Sequence, residues 1–166
     1  MQFRPVNAAV KWARGRNAVD KLCYEAGIYQ RELFDLQGKV VPMTYGCYTA
    51  FVEGVDVGCL VLEWCGGTVN YSKDELTRRR ILAACRVHAA GILHGRLQDR
   101  HFVMSMDHTV RIVDFSEARS HKCRGAIPLL DTEEPGDIPA GCEELEDLEA
   151  RSQDWSPWRR LLGRPA

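Results

Sequence analysis

The sequence predicts a small α+β domain: a short antiparallel sheet with one helix, then a longer helix followed by a β-hairpin. Three observations carry that expectation. A helical apolar pattern runs from Asp20 to Leu36, and strand-like apolar runs follow between Tyr45 and Trp64. Ser72-Lys73-Asp74-Glu75 then reads as a capping box opening a second helix, with two short apolar runs beyond it.

Taken in order, Val6 to Ala13 is a short apolar stretch around Lys11 and is expected to be a strand. From Asp20, Leu22, Ala26, Tyr29, Leu33 and Leu36 recur at three- and four-residue steps, with Gly38 as the stop. Tyr45 to Val52 and Cys59 to Trp64 are the next strands, with Gly54 and Gly58 framing the turn between them. In the second helix Leu76, Ile81, Ala84, Cys85 and His88 share roughly one face, Arg78-Arg79-Arg80 form the solvated side, and Gly91 suits the C-terminal cap. Phe102–Met104 and Val110–Val113 flank a turn at Ser105–His108, which predicts a hairpin. Beyond Ala126 the periodicity weakens, and a short helix is expected from about Cys142 to Arg151. The division that follows is a domain over 1–126, split into 1–65 and 66–126, and a partly disordered tail over 127–166.

At 166 residues, 45% hydrophobic and 27% charged with net charge −1, the chain suits one soluble core. Its longest apolar runs are too short to cross a bilayer, and Met1–Pro5 lacks the apolar stretch of a secretory signal, so an intracellular protein without membrane contact is expected. The seven cysteines are odd in number, and Cys23, Cys59 and Cys85 fall where a reduced thiol serves as a small hydrophobe. His121 and Cys123 are two apart, but no second ligand pair follows at zinc-site spacing, so a structural zinc site is not expected. Asp131 to Glu149 carries nine acidic residues and no Lys or Arg, followed by Arg151, Trp155, Trp158, Arg159 and Arg160. That arrangement argues against nucleic-acid binding; the acidic run suits a solvated tail or a docking surface for a protein partner.

Two segments carry chemistry. His94-Gly95-Arg96-Leu97-Gln98-Asp99-Arg100-His101 follows a helix, and Val113-Asp114-Phe115-Ser116 closes the hairpin. A histidine-led loop, a hairpin and an Asp-Phe pair are laid out like a kinase catalytic loop and metal-binding segment. Further matches precede them in order: Glu25-Ala26-Gly27-Ile28-Tyr29, Leu36-Gln37-Gly38, Tyr45-Gly46 and Leu60-Val61-Leu62-Glu63. On these residues the chain resembles the protein-kinase-like superfamily and is similar to its small members common in fungi. The resemblance runs from about Ala9 to Cys123. It implies a compact kinase-like fold with a truncated N-lobe, formed by the short sheet and a helix resembling the αC helix, and a minimal C-lobe of one main helix and the hairpin.

The resemblance also assigns roles. Lys11 matches the strand lysine that holds the nucleotide's α- and β-phosphates, and Glu25 the helix glutamate that pairs with it. Glu63 and Cys65 fall on the hinge facing adenine, with Leu62 behind them, and Asp114 matches the magnesium-binding aspartate. ATP and Mg²⁺ are the implied cofactors. Read without the resemblance, Lys11 is an ordinary exposed strand residue and Glu25 an ordinary helix-surface acid.

Four departures cut against catalysis. Arg96 stands where the family has its catalytic aspartate, and a guanidinium cannot accept a proton at neutral pH. General-base catalysis contributes ~10²- to 10⁴-fold, and an added cation near metal and substrate is worse than simple loss. Gln98 stands where a lysine near the transferring phosphate is common. His101 takes the place of the second magnesium ligand, and a nitrogen ligand suits that hard ion poorly. Ten residues precede Lys11 without a glycine, so the glycine-rich loop over the phosphates is missing. Asp99, three residues past Arg96 in the same loop, is a candidate substitute base. The expected function is a catalytically impaired pseudokinase acting as a binding module with residual nucleotide binding. The alternatives are an active atypical kinase acting on a protein or small-molecule hydroxyl, and a truncated, non-functional fragment.

Overall fold

The computed structural model describes residues 7–123 and 142–151. Strand β1 (Ala8–Arg14) leads through Gly15 into helix α1 (Arg16–Gln30) and a 3-10 turn at Phe34–Leu36. Strands β2 (Thr44–Val52) and β3 (Val55–Glu63) follow, then α2 (Lys73–Ala89) and β4 (Ile92–Leu93). A second 3-10 turn at Asp99–His101 precedes β5 (Phe102–Met104), β6 (Val110–Ile112), β7 (Arg119–Ser120) and α3 (Glu143–Arg151).

The first three strands form an antiparallel sheet in the order β1-β3-β2. Because side chains alternate across a strand, Lys11 shares a face with its partner Leu60, and Ala9 with Leu62. Helix α1 packs on that face through Leu22, Ala26 and Tyr29. The other face is open: Trp12 and Tyr48, both opposite Cys59, are exposed. The core continues from α1 through Leu60 and Leu62 into α2 and the hairpin, where Ile81, Ala84, Val87, Phe102 and Ile112 are buried.

Several expectations change. Helix α1 starts at Arg16, four residues before Asp20, because Gly15 (φ 86°) turns the chain directly out of β1 and its carbonyl accepts Val19 N–H at 3.0 Å. Arg16, Asn17 and Ala18 carry no apolar periodicity to announce this. The helix ends at Gln30, short of Leu36. Gln37 caps the end, donating from Nε2 to Tyr29 O at 2.8 Å while its Oε1 accepts Thr44 N–H at 2.8 Å. Gly58 is not in the turn. It lies inside β3, opposite Ala13 and Thr49, and the β2–β3 turn is Glu53-Gly54. A Cβ on Gly58 would meet Leu22 Cδ2 at 3.3 Å and Val19 Cγ1 at 3.4 Å, so the glycine lets α1 approach the sheet.

The α2 cap forms in part: Ser72 Oγ accepts Glu75 N–H at 3.2 Å, but the Glu75 carboxylate turns to Arg78 and Arg79 at 2.8 and 2.7 Å. The arginine run is therefore not simply a solvated side. Arg79 lies 4.1 Å over the Tyr71 ring, and Arg80 is half-buried against Phe102. All seven cysteines are free thiols, and Cys23 is exposed instead of serving as an apolar filler.

The hairpin β5–β6 pairs Phe102 with Ile112, and β4 pairs with β7. The helix expected from Cys142 is α3, and it packs on α2 with Leu148 buried. This part of the acidic tail therefore belongs to the folded body, while Trp155, Trp158 and the acids Asp131, Glu133, Glu134 and Asp137 lie outside the described residues. Among the described residues no helix is long and apolar enough to cross a membrane.

Gly58→Val should raise strand propensity yet overpack the α1–sheet contact. We expect a loss of ~1–3 kcal/mol, read as a lower urea midpoint with an unchanged slope.

Candidate functional site

The pairing of four short strands assembles the site. The loop from His94 to His101 runs between β4 and β5, and Val113 to Ala118 runs between β6 and β7. Since β4 pairs with β7 and β5 with β6, the two loops lie face to face. Val113 N–H donates to His101 O at 3.0 Å and clamps them together. Gly95 (φ 81°) is forced by this proximity, since a Cβ there would sit 2.4 Å from Glu117 O.

His94 is buried and locks the loop in one tautomer. Its Nδ1 accepts Arg96 N–H at 3.3 Å, so Nε2 carries the proton and donates to Val113 O at 3.0 Å. Burial holds the ring below the usual histidine range, which keeps it neutral. His94 stacks on His101 with ring centroids 5.0 Å apart, and on its other side touches Phe115 at 5.0 Å. Phe115 in turn meets Tyr29 of α1 edge-on at 5.2 Å.

The charged centre lies beside these rings. Lys11 Nζ donates to Glu25 Oε2 at 2.7 Å and to Asp114 Oδ1 at 2.6 Å, linking residues 14 and 103 positions away in the chain. Glu25 is only 1% exposed, so it is no helix-surface acid, and its Oε1 accepts Phe115 N–H at 3.1 Å. Burial pushes the Glu25 carboxyl up despite the opposing Lys11 charge. Burial alone would lower the Lys11 amine, but hydrogen bonds to Asp114 and Glu25 outweigh it and hold the amine above the usual lysine range. Asp114 is half-exposed and adopts φ 70°, an uncommon conformation for a non-glycine residue. Burial works against its charge, but Lys11 and the Ser116 hydroxyl hold its carboxyl below the usual range. His101 Nε2 stands 3.7 Å from Asp114 Oδ2.

The other candidates lie apart from this centre. Arg96 and Gln98 are exposed, with Gln98 N–H donating to His101 Nδ1 at 3.2 Å. Asp99 reaches Arg80 at 3.4 Å and Arg151 at 4.0 Å, which turns it toward α2 and α3. At the end of β3, Leu62 is buried on the Lys11 face. Glu63 accepts Met43 N–H at 3.0 Å and approaches Arg111 at 3.7 Å. Cys65 Sγ lies 3.7 Å from Glu63 O, and burial pushes its thiol up to about 11.

Sequence reasoning missed Glu144. From the first turn of α3 its carboxylate accepts His94 N–H at 2.9 Å and Gly95 N–H at 2.7 Å, while Arg151 Nη2 donates to Leu97 O at 2.7 Å. Helix α3 thus holds the histidine-led loop at three points. Nothing in the sequence distinguishes Glu144 from the acids around it.

No protein-family model matches the chain, and no curated protein matches it.

Two outcomes follow from the charged centre. Lys11→Met leaves the buried Glu25 without its cation and should cost ~1–3 kcal/mol. Adding Glu25→Gln should recover part of that loss, giving a non-additive double-mutant cycle by urea denaturation. Asp114 has a depressed pKa, so its contribution is full above the ordinary aspartate value of ~3.9 and is lost as pH falls through its folded value. Asp114→Asn should therefore flatten the acid limb of the stability–pH profile relative to wild type.

Proposed function

We propose that this domain is a catalytically impaired, pseudokinase-like binding module that retains residual nucleotide binding. The observation that carries the reading is the Lys11 ammonium held between Glu25 and Asp114, at 2.7 and 2.6 Å. An ion pair between a strand lysine and a buried helix glutamate presents a fixed cation to phosphate oxygens, the arrangement used in phosphoryl-transfer sites. Asp114 is the carboxylate that would hold Mg²⁺, which usually takes one or two protein carboxylates and completes its shell with phosphates and water. Such an ion would neutralise phosphate charge. His101, at the second position, offers nitrogen and suits magnesium poorly.

The impaired half of the reading rests on Arg96. It occupies the loop held by His94 and Glu144, is exposed, and has no means of taking a proton from a substrate hydroxyl. Asp99 does not replace it, because its carboxylate is engaged by Arg80 and Arg151 on the helix side. The remaining function is recognition, either of a nucleotide at the Lys11 centre or of a protein through the surface.

A thermal-shift titration with ATP and Mg²⁺ tests the first half. Saturation a hundredfold above Kd adds ~2.7 kcal/mol and should raise Tm by several degrees. Lys11→Met should abolish the shift, and no shift at millimolar ATP overturns nucleotide binding. Wild type should show no phosphotransfer. Detectable transfer by wild type, lost in Asp114→Asn, would overturn the impaired reading. Arg96→Asp asks whether the base alone is missing: transfer appearing from nothing marks Arg96 as the lesion.

A further inference from the structure

We propose that His88, His121, Cys123 and Cys142 form a structural zinc site. Their candidate ligand atoms all lie within 4.8 Å of one another. Tetrahedral zinc, with Zn–S near 2.3 Å and Zn–N near 2.05 Å, places sulfur and nitrogen ligands about 3.6 Å apart. Cys142 Sγ is 3.4 Å from His88 Nδ1 and 3.6 Å from His121 Nε2, so both separations fall on that tetrahedral edge. The His88 and His121 rings meet edge-on with centroids 5.4 Å apart, so the two imidazoles that approach the sulfur are also neighbours of each other.

The group that would orient a ligating histidine is also in place. His88 is 2% exposed, and its Nε2 donates to Glu144 Oε2 at 2.8 Å. That bond leaves Nδ1 without a proton and faces its lone pair toward Cys142, the carboxylate–histidine–metal arrangement that orients ligating histidines. A thiol packed between two imidazoles offers one proton for two ring nitrogens. A cation satisfies both nitrogens together with Cys123. Two thiolates and two neutral imidazoles suit zinc by softness and geometry. The thiolate charges balance the ion, and two thiol protons pass to solvent as it binds.

The ligands come from α2, the segment after β7 and the residue before α3, so the site joins three stretches distant in sequence. Zinc thereby fixes Glu144, the residue that holds the His94 and Gly95 amides. The ion is distant chemistry from phosphate binding: it is a staple that sets the position of the histidine-led loop from behind.

The full chain, purified without chelator, should carry about one zinc per molecule by elemental analysis, the stoichiometry of a four-ligand site. Replacement with Co²⁺ should give the intense visible bands of tetrahedral cobalt and a near-ultraviolet thiolate charge-transfer band. Cys142→Ser and Cys123→Ser should weaken the charge-transfer band, and Cys23→Ser and Cys59→Ser should leave it unchanged. If Cys142→Ser does not fold, His121→Ala, at a half-exposed position, tests the same site by loss of zinc content. Two results overturn the proposal: zinc-reconstituted protein that retains no metal after gel filtration, or a cobalt spectrum indifferent to Cys123, Cys142 and His121. An intact mass lower by two hydrogen atoms with no bound metal, marking a Cys123–Cys142 disulfide formed by air oxidation, would overturn it equally. None of these readouts depends on whether a nucleotide binds.

Discussion

The Glu25 carboxylate lies in the interior between two halves of the chain, and an ionised group there is tolerated only if its oxygens are occupied. One oxygen takes the Lys11 ammonium from β1, and the other takes the Phe115 amide from beyond β6. Burying an unpaired charge costs several kcal/mol, so this arrangement constrains its surroundings. α1 must lie against the Lys11 face of the sheet, which Gly58 permits, and the Asp114–Phe115 segment must come up beneath α1. Phe115 then fills the space between Tyr29 and His94, so polar contact and ring packing require the same backbone position.

The second organising feature is the clamping of the His94–His101 loop from both sides. Val113 holds it from the hairpin side, and Glu144 and Arg151 hold it from α3. The result is a loop whose backbone is held from both sides, with the Arg96 side chain exposed and the Gln98 side chain capping the turn at Asp99–His101. An arginine at position 96 is therefore compatible with an intact Lys11–Glu25–Asp114 centre. That is the physical content of the pseudokinase proposal.

Legibility in the sequence followed the range of the interaction. α2, the β5–β6 hairpin and α3 were readable because caps, turns and periodicity act over a few residues. α1 was readable in its apolar middle but not at its ends, which depend on Gly15 and on Gln37 reaching back to Tyr29. Gly58 looked like turn punctuation, although its role is to admit a helix from outside the strand. Lys11, Glu25 and Asp114 were picked out by the order of motifs along the chain, and they meet in space. Glu144 and the pair His88–Cys142 were not visible. Their significance comes from contacts across 50 and 54 positions, and in sequence they are one acid among many, one helix histidine and one stray cysteine.

Arg111 lies in the middle of β6, 1% exposed, and donates to the carbonyls of Lys39 at 2.8 Å and Gly38 at 2.6 Å. Beside it Ile112 N–H bonds Val40 O at 2.8 Å. These contacts fasten β6 to the segment after α1, and the Glu25–Phe115 bond fastens the residues beyond β6 to α1 itself. Proteins that close around a ligand need a hinge able to change its dihedral angles, and rotation here would strip a buried guanidinium of its carbonyl partners. Among the described residues, these contacts tie the hairpin to its surroundings in one arrangement, and a surface held that way has little ordering entropy to lose on contact with a ligand.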